Sequence, residues 1–79
     1  MGLHDVVNFY PNGKGLILML EFVMKKYELT EIRAREFIEI RIQEDGGYQD
    51  KLHKILEDFS PLFFKGSPYL DKVFFVKAG

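Results

Sequence analysis

From Leu16 to Tyr27 the apolar positions Leu16, Leu20, Val23, Met24 and Tyr27 recur at helical spacing, and Ile17, Met19 and Phe22 widen the stripe. Such a pattern predicts a helix from Lys14 or Gly15 to Tyr27 that is buried on most sides. Ahead of it, Asp5-Val6-Val7-Asn8-Phe9-Tyr10 is rich in β-branched and aromatic residues, and Pro11-Asn12-Gly13 supplies turn chemistry. The expectation there is a short strand or an extended arm over residues 1–13.

Thr30 can cap a second helix, and Glu31 suits its first turn. Arg33 stands where a capping box would need Glu or Gln. Beyond it two periods compete: Ala34, Phe37, Ile38 and Ile42 share a helical face, whereas Ile38 to Gln43 alternates as a strand would. Three i,i+4 pairs of opposite charge, Glu31–Arg35, Arg35–Glu39 and Arg41–Asp45, favour the helix by about 0.2–0.5 kcal/mol each. Gly46-Gly47 then breaks the chain. A third helix is predicted over 48–59, with Tyr48, Leu52, Ile55, Leu56 and Phe59 inside and Asp50–Lys54 and Lys54–Asp58 as outward pairs; Pro61 stops it.

Two Phe doublets follow, Leu62-Phe63-Phe64 and Val73-Phe74-Phe75-Val76, on either side of a polar stretch. Read as a β-hairpin over 62–77, each doublet sends one ring to either face, because adjacent strand residues point opposite ways. A small core shelters one face, so Phe63, Phe64, Phe74 and Phe75 become candidates for an oligomer or partner interface. The whole is an α+β single domain: an N-terminal strand or arm, a helical part over 14–59 and a C-terminal hairpin.

Composition narrows the function. The chain has 79 residues, 47% hydrophobic and 15% aromatic. At that size folding buries roughly 60–65% of the exposed surface. Self-association would use the surplus apolar surface. No cysteine is present, which removes disulfides, thiolate nucleophiles and cysteine zinc sites and points to a reducing, cytoplasmic setting. No apolar run reaches the roughly 20 residues that cross a bilayer, and no signal-peptide pattern or membrane role is expected. Net charge is −1, with a mildly acidic middle and a mildly basic C-terminal third, so no overall field draws the chain to nucleic acid.

Catalysis is not expected. His4 and His53 are the two imidazoles, and His53 lies one turn before Glu57, a spacing more often a surface pair than an oriented base. Two distant histidines without cysteine do not make a zinc site, and Glu44-Asp45-Gly46-Gly47 lacks the alternating ligands of a calcium loop. Asn12-Gly13-Lys14-Gly15 opens a helix but lacks the GxxxxGK-Ser/Thr pattern of a phosphate loop, so a turn is the simpler reading. Neither a cofactor nor a metal is implied.

Three helices followed by a hairpin, with Glu28-Leu29-Thr30 introducing the second helix and Ile55-Leu56-Glu57-Asp58-Phe59 leading into the first hairpin strand, resemble the winged-helix domain over about residues 15–77. That resemblance implies a dimeric transcriptional regulator whose third helix enters the major groove of duplex DNA while the wing touches the backbone. By position it assigns Gln49, Lys51, His53 and Lys54 to DNA, with Lys65, Tyr69 and Lys72 on the wing. The competing expectation is a protein-interaction or oligomerisation module that uses the apolar hairpin and binds no nucleic acid.

Overall fold

The computed structural model describes residues 2–77, and for residues 72–74 the backbone alone. In chain order the elements are β1 (Val6–Pro11), α1 (Gly13–Tyr27), α2 (Glu31–Glu39), β2 (Tyr48–Lys51), α3 (Leu52–Phe59), a 3-10 turn (Ser60–Leu62) and β3 (Leu70–Lys77). The strands form an antiparallel sheet in the order β2-β1-β3. The fold is therefore α+β, with the N-terminal strand at the centre of the sheet.

Alternation along β1 sends Val7, Phe9 and Pro11 inward and leaves Val6 exposed. Val7 and Phe9 meet Met19 and Val23 of α1, Ala34 and Ile38 of α2, and Ile55 and Phe59 of α3 in one core, closed by Tyr48, Leu62 and Leu70. Phe9 is its aromatic hub, with ring centroids 5.2 Å from Tyr48, 6.1 Å from Phe59 and 5.0 Å from Phe63. Burial of such side chains contributes about 1.5–3 kcal/mol each before conformational entropy is counted.

Local chemistry sets the helix ends. The Asn12 side chain accepts from the Gly15 amide at 2.9 Å and caps α1, whose C-cap Glu28 adopts left-handed geometry. Thr30 caps α2 by accepting from Arg33 N. That helix stops at Glu39; Ile42 then makes an isolated bridge to Tyr48, so the strand-like alternation of Ile38–Gln43 is realised at a single position.

Two expected elements take other forms. Residues 48–51 are strand, not the first turn of the third helix, because β1 offers them a ladder: Phe9 stands opposite Tyr48 and Val6 opposite Lys51. The C-terminal hairpin does not form. Pro61 sits in the 3-10 turn, Phe63 N donates to Ser60 O at 3.0 Å, and Gly66 turns the chain at φ 79°. The first Phe doublet thus lies in a turn, and β3 pairs with β1, Pro11 opposite Leu70 and Val7 opposite Lys77. Register shifts between those points mark bulges, which blunt an edge strand against further pairing. Among the described residues no helix is long and apolar enough to cross a membrane.

Candidate functional site

The residues assigned to DNA do not converge. Gln49 and Lys51 lie on β2, and His53 and Lys54 open α3 directly after it. Lys65 and Tyr69 belong to the loop beyond the far end of α3, and Lys72 is on β3, the opposite edge of the sheet from β2; its side chain lies outside those described. Several of the set have structural partners. His53 N and Nδ1 both contact Leu3 O, at 2.9 and 3.1 Å, and its ring meets His4 edge-on at 5.2 Å. Lys54 Nζ is 4.0 Å from Glu57. Tyr69 packs by Phe64, centroids 6.3 Å apart.

The four interface candidates also divide. Phe63 is half-buried and locked between Phe9 and Phe75, 5.0 and 4.8 Å away, so Phe63 and Phe75 serve the core. Phe64 turns out at 50% exposure. The Phe74 side chain lies outside those described. Phe63, Phe64, Lys65 and Leu70 line a hollow of about 360 Å³.

The larger apolar concavity lies elsewhere. On α1, Gly15, Met19 and Val23 turn to the core, which leaves Leu16, Ile17 and Leu20 on the flank toward α2. On α2, Ala34 and Ile38 turn inward, and Arg35 and Glu39 stand one helical turn apart beside them. Between these flanks runs a groove of about 440 Å³ lined by Leu16, Ile17, Leu20, Ile38 and Ile42, with Arg35 and Glu39 at its rim. Ile17 is 64% exposed and Leu16 37%. Arg35 reaches back to Glu31 at 2.9 Å. The Glu39 carboxylate takes part in no ion pair or side-chain hydrogen bond among the described residues.

The main polar side-chain pairs are committed to the fold. Asp58, expected outside, is 7% exposed and accepts from Lys26 Nζ and from Tyr27 Oη, the latter at 2.9 and 3.0 Å to its two oxygens. This ties the end of α1 to α3. The Asp58 hydrogen bond raises the Lys26 ammonium above its ordinary range, and the Lys26 bond lowers the Glu57 carboxyl. Asn12, besides capping α1, donates Nδ2 to Pro68 O at 2.7 Å and its own N to Tyr69 O at 2.9 Å. The Asn12-Gly13-Lys14-Gly15 segment is thus a structural corner. Tyr10 Oη donates to Asp45 at 2.9 Å, pinning the 43–47 loop to β1. Among the described residues no group of three or more His, Asp or Glu is arranged to hold a metal ion.

The sequence reading missed the groove because it placed α1 under cover on most sides. A helix followed by a nine-residue partner that leaves through a turn at Ile40 cannot hide both flanks. The signal was present in Leu16-Ile17, adjacent apolar residues roughly 100° apart around the axis. No protein-family model, curated protein or solved structure matches the chain.

Proposed function

We propose that this chain is a docking module that receives an apolar, helix-sized segment in the α1–α2 groove and performs no catalysis. One observation carries the reading: Ile17, 64% exposed, lines an aliphatic groove that the described residues leave open. Apolar area withdrawn from water contributes about 25 cal/mol per Å², and a two-helix groove with charged rims suits an amphipathic helix with anchors at i, i+3 or i+4, and i+7. Duplex binding would call for one basic face, because phosphate neutralisation supplies most non-specific affinity. Of the lysines proposed for that role, Lys51 and Lys72 lie on opposite edges of the sheet, Lys54 on α3 and Lys65 in the loop beyond it.

The test is selection of helical peptides from a display library against the folded chain, with Ile17→Glu as the counter-target. Enriched peptides are expected to bind the unaltered chain, to lose binding to I17E and to shift the amide resonances of Leu16, Leu20 and Ile42. If every enriched peptide binds both proteins equally, the groove is not a docking site.

A further inference from the structure

The rim of the groove carries both signs of charge, and we propose that its occupant is the same groove of a second copy, the two related by a twofold axis; this rests on the docking reading above. In such an isologous contact residue i meets j while j meets i. Arg35 and Glu39 lie four residues apart on one flank of α2. An antiparallel copy of α2 therefore sets each Arg35 against the partner copy's Glu39, and each Glu39 against its Arg35. A rim of one sign would repel itself; this one completes itself.

The remaining details agree. Glu39 has no side-chain partner among the described residues. Arg35 keeps its bond to Glu31 with other guanidinium N–H groups left to donate. Ile17, 64% exposed, lines the groove together with the more buried Leu20, Ile38 and Ile42, so each copy can offer the Ile17 side chain to the other's groove. A net charge of −1 sets little repulsion between copies.

Charge reversal tests the geometry. Sedimentation velocity over a concentration series is expected to show a reversible dimer for the unaltered chain. Arg35→Glu alone and Glu39→Arg alone should each weaken it about tenfold or more, since like charges then face each other. The double variant R35E/E39R should recover self-association, and an equal mixture of the two single variants should form a mixed dimer. Circular dichroism confirms that each variant is folded, as the two sites are exposed. A monomer at every concentration, single variants that dimerise like the parent, or a mixture that stays monomeric would each overturn the twofold arrangement. The Ile17→Glu peptide comparison separates the two proposals: a monomeric parent whose selected peptides still need Ile17 loses the second copy but keeps the docking groove.

Discussion

Gly15 packs so tightly on the backbone of Tyr69 that a methyl group at position 15 would lie 2.2 Å from the Tyr69 carbonyl oxygen. The first turn of α1 is therefore seated directly on the loop that feeds β3. Pro11 closes the other side, 3.2 Å from the same point. Gly15→Ala should cost about 1–3 kcal/mol through overpacking. Gly13, two residues earlier, has nothing within 4 Å of an added methyl, so Gly13→Ala should be neutral or stabilise by about 0.4–1 kcal/mol. Urea denaturation of the pair checks both signs, and equal destabilisation would contradict the packing at Gly15.

The Asp58 cluster is expected to dominate polar stability. Its carboxylate is buried, whereas Lys26 retains partial solvent contact and a second acceptor in Glu57 at 3.1 Å. Asp58→Ala should cost about 2–3 kcal/mol, less than a fully buried pair because Lys26 can re-solvate. Tyr27→Phe removes a hydrogen bond to a charged acceptor and should cost about 1.5–3 kcal/mol. By double-mutant cycle the two losses should be strongly non-additive, because they share one carboxylate.

Alkali should unfold this protein. The phenols of Tyr27 and Tyr48 are pushed up mainly by burial, and that of Tyr10 mainly by its hydrogen bond to Asp45, all from an ordinary value of 10.0. The folded chain thus keeps protons that the unfolded chain gives up. This stabilisation is complete below pH 10.0 and is lost as pH rises through the folded values. Denaturation midpoints should fall above that pH. Tyr48→Phe should move the onset upward, and since the Tyr48 hydroxyl has no hydrogen-bond partner among the described residues, the change should be close to neutral at pH 7.

The two halves of the first Phe doublet should separate cleanly. Phe63 packs between Phe9 and Phe75, and Phe63→Ser should cost about 2–3 kcal/mol, below the loss for a fully buried ring because it is only half covered. Phe64 is half exposed, and Phe64→Ser should cost less than about 1 kcal/mol. Thermal melts of the two variants decide the matter, and comparable losses would contradict the orientation of the doublet.

What the sequence disclosed was whatever is settled within a few residues. Asn12 and Thr30 are caps that act locally, the aliphatic stripe of α1 is periodic, and the strand character of Val6 to Tyr10 is intrinsic to its residues. Tyr48–Lys51 was illegible because its apolar spacing also fits a helix turn, and the deciding partner, β1, lies some forty residues away. The terminal hairpin failed for the same reason: two Phe doublets close in sequence suggest pairing with each other, yet β3 finds β1. Of the candidate site, Leu16 and Ile17 were visible as apolar residues. Their exposure depended on where α2 ends.

With the first strand held between two that are synthesised much later, neither of its hydrogen-bonding edges can be satisfied early. Both ladders must wait for distant chain to arrive, so α1 and α2 have their sequences complete well before the sheet can assemble. Contacts of such long separation slow folding. A nascent chain arrested before Leu70 would present one bare edge of β1 to its neighbours, which makes aggregation during synthesis, more than instability once folded, the hazard built into this topology.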